Sequence, residues 1–238
     1  MKTLILTATV IASVTTTAFT QGIVGFTDMG TPGYVVDTDD QFWSSDVTAT
    51  FTASPNFTAA LYALPGNVTS LTGLGVDPYG YLNYMSFLSD GFALVAGSTT
   101  LGGSANGVVF DGGDGYFFGQ NVTITGTTGG YNPGTGSYTA YDVLAVAAWT
   151  GGYSSLAAAE ASGSSRYGII AFVNPIGPGG ANPEIPGLVG WPTTPLPAEV
   201  ANDSGIPDLV MSPIPEPTTM ALGALGGLSL LLFRRKQS

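Results

Sequence analysis

Carboxylates are the side chains with which this chain could do chemistry, because it contains no His and no Cys. A Ser-His-Asp triad, a Cys-His pair and an ordinary zinc site are therefore excluded. Lysine occurs only at Lys2 and Lys236, so P-loop and Schiff-base chemistry are excluded for the chain between them. A glycosidase needs two carboxyl groups that face each other across a cleft. Glu160, Glu184 and Glu199 form no recognisable pair, so we predict no enzyme, no catalytic residue and no cofactor.

Two acidic clusters have the composition of calcium ligands. Asp37-Thr-Asp39-Asp40 is one, and Asp111 with Asp114 among glycines is the other. Calcium binds several oxygen ligands and tolerates irregular geometry, but neither cluster has the spacing of an EF-hand. Asp next to Gly is also typical of a tight turn. We therefore predict no metal site, and calcium binding at Asp111 and Asp114 stays open as the alternative.

An aromatic stretch near the middle of the chain could offer rings to a sugar. YGYLNYMSF, residues 79–87, contains Tyr79, Tyr81 and Tyr84, and the Trp residues offer further rings. Tyr and Phe in a β protein more often pack as cross-strand pairs. We favour packing, and a sugar-stacking platform is the alternative.

The distribution of charge excludes nucleic acid as a partner. The chain has five basic residues and a net charge of −11, and Arg166 is the only basic residue between Thr3 and Phe233. Phosphate binding depends on clustered Lys and Arg. Without Cys there is no disulfide framework, so an apolar core must stabilise the fold.

Apolar periodicity predicts an all-β body. Apolar residues alternate with Thr in residues 46–53 and again in residues 120–126, which is the pattern of half-buried strands. Residues 57–64 and 92–97 are apolar runs of strand length. YDVLAVAAW, residues 141–149, is apolar on both faces, as expected for a central strand that is covered on each side.

One helix interrupts the predicted strands. SSLAAAEAS, residues 154–162, begins with Ser154 or Ser155 as the N-cap and continues with alanines. Many short strands joined by Gly-rich turns favour an antiparallel β-sandwich. We therefore predict an antiparallel β-sandwich with one short helix over residues 21–173.

A proline-rich segment follows the predicted sandwich. Eleven prolines fall between Asn174 and Pro217. Proline fixes φ and removes a donor from a strand ladder, so residues 174–212 are predicted to be an extended connector. Leu209–Met211 would add a final edge strand.

The N-terminus has the features of a secretory signal peptide. Lys2 is followed by an apolar stretch, and small residues allow cleavage after Ala18 or Thr20. We predict a signal peptide at residues 1–20, and a short uncleaved anchor is the alternative.

The C-terminus combines an apolar run with a basic cluster. Met220–Phe233 has fourteen residues without a charge, followed at once by Arg234, Arg235 and Lys236. A helix of that length spans roughly 21 Å, less than the roughly 30 Å of a hydrocarbon core, but basic side chains at its end can reach the interface. Basic residues beside a membrane segment stay on the cytoplasmic side. We predict a membrane helix at 220–233 with the body outside.

The same residues resemble a known sorting signal. Pro215-Glu216-Pro217, then a glycine-containing apolar helix, then Arg234-Arg235-Lys236, resembles the PEP-CTERM tail of bacteria with an exopolysaccharide-rich envelope. The resemblance implies a sorting tail at residues 213–238, with these six residues as its signal. It also implies export, transient anchoring in the inner membrane, and cleavage near the triplet by exosortase, a membrane-embedded protease.

Two functions remain after these exclusions. The first is an exported, membrane-tethered surface or extracellular-matrix protein of the cell envelope, without enzymatic activity. The alternative is a carbohydrate-binding module that acts in the exopolysaccharide matrix, with Tyr79, Tyr81, Tyr84 or a Trp as its platform. The predicted partners are exosortase, the membrane and exopolysaccharide.

Overall fold

The computed structural model describes residues 21–28, 33–38, 51–103, 114–179, 185–192 and 208–213. Strands predominate among them, which confirms the all-β prediction. Two short helices are present, α1 (Tyr84–Asp90) and α2 (Leu156–Ser162). The strands are β1 (Gln21–Thr27), β2 (Val35–Thr38), β3 (Phe51–Ala53), β4 (Asn56–Ala63), β5 (Ala93–Leu94), β6 (Thr100–Gly103), β7 (Phe118–Thr128), β8 (Tyr131–Asn132), β9 (Ser137–Tyr138), β10 (Tyr141–Trp149), β11 (Arg166–Pro175), β12 (Gly177–Pro178) and β13 (Leu209–Pro213).

The strands form a large sheet, a small sheet and a short hairpin. The large sheet has the order β3-β2-β13-β11-β10-β4-β5, and β6 pairs with another part of β4. The small sheet has the order β12-β1-β7, and β8 pairs with β9. All of these pairs are antiparallel except that of β13 with β2, which is parallel. The prediction of purely antiparallel pairing is therefore wrong at one place. These two strands are distant in the chain, so no tight turn fixes their relative direction.

The centre of the large sheet is β10, as its two apolar faces predicted. It pairs along its full length with β11 and over six residues with β4. All of its residues except Tyr141 are buried. A strand that is covered on both faces reads as a continuous apolar run rather than an alternating one.

One face of β10 contributes to the core between the two sheets. Leu144, Val146 and Ala148 lie in one cluster with Val24 of β1 and Ile124 of β7. Because this cluster joins side chains of the large and the small sheet, the two sheets pack against each other through it. Phe26 and Phe117 close one end of the cluster, with ring centroids 4.8 Å apart.

The other face of the large sheet is covered by the helices. Ala145, Ala147 and Trp149 of β10 pack in a second cluster with Phe87 of α1 and Leu156 of α2. The structure therefore has an additional apolar layer outside the large sheet.

The predicted helix is present, and a second one corrects the prediction of one short helix. In α2 the side chain of Ser155 caps the first turn by accepting a hydrogen bond from Ala158 N. In α1 the side chain of Asn83 accepts a hydrogen bond from Ser86 N at 2.8 Å. Gly91 ends α1 with a φ of 83°, a conformation that favours glycine. Helix α1 begins within the aromatic stretch at residues 79–87 and continues beyond it to Asp90.

Part of the predicted connector belongs to the body. Ile176, Leu188 and Trp191 are buried in the cluster between the sheets, and the rings of Trp191 and Phe172 lie 5.6 Å apart. Asn174 binds this segment, since its side chain donates to Gly187 O at 3.0 Å and accepts from Gly190 N at 2.8 Å. Proline is compatible with this packing because the segment needs few ladder hydrogen bonds.

The final strand is present, but its predicted edge position is wrong. β13 pairs with β11 on one side and with β2 on the other, so it lies inside the sheet. Pro213 is the last residue of the strand, so the ladder donors of the residues before it stay intact.

The predicted signal peptide at 1–20 and the predicted membrane helix at 220–233 lie outside the described residues. Within the part of the chain that the structure describes, no helix has the length and apolar character needed to cross a membrane.

Candidate functional site

β13 is the element that joins the body to the last residues of the chain. Its first three residues, Leu209, Val210 and Met211, are buried. They pair with β2, while the last two residues, Ser212 and Pro213, pair with β11. Both edges of the strand are therefore engaged, and the chain is part of the sheet up to Pro213.

A buried carboxyl group, that of Asp208, anchors the start of β13. Its Oδ1 accepts a hydrogen bond from Tyr34 N at 3.3 Å, and its backbone oxygen accepts one from the Tyr81 hydroxyl. Leu209 N donates to Tyr34 O at 2.9 Å. Burial raises the pKa of Asp208 to about 7, against the opposing effect of the hydrogen bond from Tyr34. This group therefore takes up and releases a proton near neutral pH.

Asp28 is a second buried carboxyl group in the same region. Its Oδ1 accepts a hydrogen bond from Phe117 N at 2.8 Å, and burial raises its pKa well above the usual range. Burial raises the pKa of Tyr116, and the charges of Asp28 and Asp208 raise it further. Both carboxyl groups therefore lie close enough to Tyr116 to raise the pKa of its hydroxyl.

Asp142 is a third buried carboxyl group, on the central strand β10. Its Oδ2 accepts from Thr127 Oγ1 at 2.5 Å, and its Oδ1 accepts from Val68 N at 2.8 Å and from Val143 N at 2.9 Å. Burial raises its pKa, and these three hydrogen bonds oppose that effect. The hydrogen bonds make Asp142 a structural link between β10, β7 and the segment after β4.

An open groove lies where β7 begins. Its volume is about 510 Å³. The pairing of β7 with β1 shifts so that Gly25 opposes Asn121 while Thr27 opposes Phe118, which places one extra residue in β7. A bulge of this kind redirects side chains. The lining residues come from β7 and from the segment that leads into β6; they are Gly97, Thr99, Thr100, Phe118, Gly119, Gln120 and Asn121.

The last residues of the chain match a known sorting signal. Residues 213–236 match the model of the PEP-CTERM protein-sorting motif. The chain carries a PEP-CTERM sorting motif. The motif supports the assignment of the chain as an exported cell-envelope protein that is sorted via exosortase. Comparison with curated proteins and with solved structures found no match.

The PEP-CTERM motif begins on the body itself. Its first residue, Pro213, is also the last residue of β13. The predicted signal residues fall within the matched range but outside the described residues; they are Pro215, Glu216, Pro217, Arg234, Arg235 and Lys236. The Pro-Glu-Pro triplet therefore follows an interior strand after a single intervening residue, Ile214.

The structure describes two of the five candidate calcium ligands, Asp37 and Asp114. Asp37 lies in β2, where its Oδ2 accepts a hydrogen bond from Ser54 Oγ at 2.7 Å, and Asp114 lies in an exposed turn. Asp39, Asp40 and Asp111 lie outside the described residues. The described ranges contain no group of three or more acidic residues that could hold a metal ion. Calcium binding at Asp111 and Asp114 stays the open alternative to the predicted turn.

Several of the rings considered for sugar stacking are packing groups. The Tyr81 hydroxyl donates to Asp208 O, and Tyr84 packs against Phe87 and Tyr167 with ring centroids 6.3 Å and 6.1 Å apart. Trp149 and Trp191 are each 1% exposed. Tyr79 is half-buried, and Trp43 lies outside the described residues. A platform made of Trp149 or Trp191 is therefore wrong, because both side chains are buried, whereas Tyr81 is partly buried and packs against the core.

The glutamates that were considered for a glycosidase form no pair of facing carboxyl groups in the described part of the chain. Glu160 lies in α2, whereas Glu184 and Glu199 lie outside the described residues. The structural features that the sequence analysis missed are the buried carboxyl groups of Asp28 and Asp208 and the groove beside Phe118. A signal for the groove was present, since two consecutive phenylalanines in a strand cannot both face the same core.

Proposed function

We propose that this chain is a surface or extracellular-matrix protein without enzymatic activity, tethered to the membrane by its C-terminal helix and processed by exosortase. The observation that carries the proposal is the match to the PEP-CTERM motif, which begins on the last residue of an interior strand. Body, triplet, apolar run and basic cluster then follow one another along the chain. This order supports a body outside the cell and a basic end in the cytoplasm.

The tail acts as a temporary tether. Its apolar run of fourteen residues is shorter than a bilayer core, so it holds the protein weakly. Arg234, Arg235 and Lys236 stop export and hold Pro215-Glu216-Pro217 near the outer boundary of the membrane. Proline on both sides of Glu216 keeps the backbone extended there, as a protease requires, and prevents the helix from including the cleavage site.

The topology is tested with a reporter fused to the C-terminus. In a host that lacks exosortase, we expect a reporter that functions only in the cytoplasm to be active, and one that functions only in the periplasm to be inactive. The matched control carries the same reporter directly after Ser212, which removes the motif and should place the reporter outside. Activity of the C-terminal fusion in the periplasm would refute the proposed orientation.

The processing step is tested with two variants in a host that contains exosortase. Replacing Pro215, Glu216 and Pro217 with Ala should leave the protein anchored and uncut. Replacing Arg234, Arg235 and Lys236 with Gln should let the unprocessed protein pass the membrane or reach a wrong location. Mass spectrometry of the mature wild-type C-terminus shows whether the tail is cleaved. A mature protein that still ends in Arg-Arg-Lys-Gln-Ser would show that the tail is only an anchor, and would contradict processing.

Carbohydrate binding in the matrix is the second candidate function. The observation that favours it is the groove beside Phe118, which offers an exposed ring among amide and hydroxyl groups. Retention of the purified protein on polysaccharide resins separates this function from a purely structural role.

A further inference from the structure

The groove beside Phe118 has the dimensions of a ligand site. Its volume of about 510 Å³ lies within the usual range for such sites, roughly 300–1,000 Å³. Its floor is constrained by the fold, since a Cβ on Gly119 would lie 2.6 Å from Phe26 O. Thr100 Oγ1 donates to Phe118 O at 3.2 Å and thereby connects the two sides. The groove is therefore built into the joint between β6 and β7.

Its lining is polar and uncharged, with one aromatic ring. Thr99, Gln120 and Asn121 are exposed, and their side chains make no hydrogen bond to any other residue that the structure describes. Phe118 is 52% exposed, although its neighbour Phe117 is fully buried. Phe118 therefore offers an exposed ring beside polar side chains.

This combination fits the chemistry of a sugar chain. Amide and hydroxyl groups donate to and accept from sugar hydroxyls, and the face of a Phe ring packs against the C–H face of a pyranose. Groups that carry both donors and acceptors suit hydroxyls better than they suit a purely apolar ligand. An open groove admits a segment of a longer chain, whereas a closed pocket would admit only its end.

The charge of the protein selects among sugar chains. None of the described residues that line the groove is charged, and the chain has a net charge of −11. A uronate or sulfate group would find no cation among these residues and would be repelled by the surface as a whole. A neutral glycan needs no cation and is not repelled by the negative charge of the protein.

We propose that the groove between β6 and β7 binds a segment of a neutral polysaccharide, with Phe118 stacking on a sugar ring and Gln120 and Asn121 bonding to hydroxyls. The inference rests on the proposed function only in placing the protein where such a polymer occurs. Binding is measured on the purified protein, so its failure leaves the sorting experiments unaffected.

The test uses calorimetry on the full-length protein in detergent with hexasaccharides of glucose, mannose and xylose, and with an alginate hexasaccharide of matched length. We expect at least one neutral hexasaccharide to bind and the alginate not to bind. Phe118→Ala should weaken the binding at least tenfold, and Gln120→Ala and Asn121→Ala several-fold. Phe118→Tyr keeps the ring and should bind like the wild type.

Leu94→Ala is the matched control. Leu94 is 54% exposed, close to the value for Phe118, but does not line the groove, so its removal should leave binding unchanged. Thermal melting verifies that each variant is folded. The proposal is overturned if none of the neutral hexasaccharides binds, if Phe118→Ala binds like the wild type, or if Leu94→Ala weakens binding as much as Phe118→Ala does.

Discussion

Acidification from pH 8 to pH 5 should stabilise the folded protein through Asp208. Burial holds the pKa of Asp208 at about 7 in the folded state, whereas its ordinary value is 3.8. The folded state therefore binds a proton that the unfolded chain does not bind at pH 5. This contribution is fully present below about pH 3.8 and is lost as the pH rises through about 7.

The magnitude follows from the difference between the two pKa values. At pH 8 both states are ionised and the contribution is close to zero. At pH 5 the folded group is protonated and the unfolded group is not, which adds roughly 2–3 kcal/mol to the free energy of unfolding. For a domain of this size that corresponds to a rise of roughly 5–10 °C in melting temperature. Burial raises the pKa of Asp28 and of Asp142 as well, so both add to the change in the same direction.

Two variants separate Asp208 from these other groups in thermal melts between pH 5 and pH 8. Asp208→Asn keeps an acceptor for Tyr34 N but cannot ionise, so its stability should rise by roughly 2–3 kcal/mol less than that of the wild type over this range. Tyr81→Phe removes the hydroxyl that donates to Asp208 O and keeps the carboxyl group, so it should lower stability by about 1 kcal/mol at every pH. An Asp208→Asn protein with the full pH dependence of the wild type would refute the reasoning.

Three further predictions concern packing, hydrogen bonding and calcium. Gly168→Ala should destabilise the protein by more than about 1 kcal/mol in denaturant unfolding, because the new Cβ would lie 2.1 Å from Val210 O and push β13 from β11; a neutral result would contradict this packing. Ser98→Ala should lower the free energy of unfolding by about 1–3 kcal/mol in the same assay, since Ser98 Oγ accepts from the buried Leu61 N at 3.1 Å. Ser70→Ala, at an exposed site, is the control, and an equal loss of stability in both variants would contradict the argument. Millimolar calcium should leave the melting temperature unchanged if Asp111 and Asp114 form only a turn, and a rise that Asp114→Asn abolishes would show a calcium site instead.

Local patterns in the sequence predicted the elements whose burial is uniform along their length. β10 was predictable because a strand covered on both faces is apolar at every position, and α2 because Ser155 and the alanines after it favour a helix. Helix α1 was missed because its aromatic residues also fit a strand. Its signals were Asn83 as the N-cap and Gly91 beyond its end.

Features that depend on partners distant in the chain were not predictable. The strand at Leu209–Met211 was found from its apolar residues, but its interior position depends on β2, more than 170 residues earlier. Asp208 resembles any other loop aspartate in the sequence, and its burial follows from Tyr34 and Tyr81. The groove lies beside a bulge in β7 opposite Phe26, and a bulge is a property of two strands rather than of one.

Because β13 lies inside the large sheet, the sheet cannot be completed until the end of the body has been exported. Among the described strands, β13 is the one that pairs β2, and with it β3, to the rest of the large sheet, and it is also the last of these strands in the chain. An exported chain emerges N-terminus first, so β2 can pair with β3 but not with β13 until the residues immediately before the sorting tail have crossed the membrane. Chains that end before Asp208 should therefore remain open and be degraded by envelope proteases, as pulse-chase proteolysis would show. A chain truncated before Asp208 therefore lacks both the strand that completes the sheet and the sorting motif that follows it.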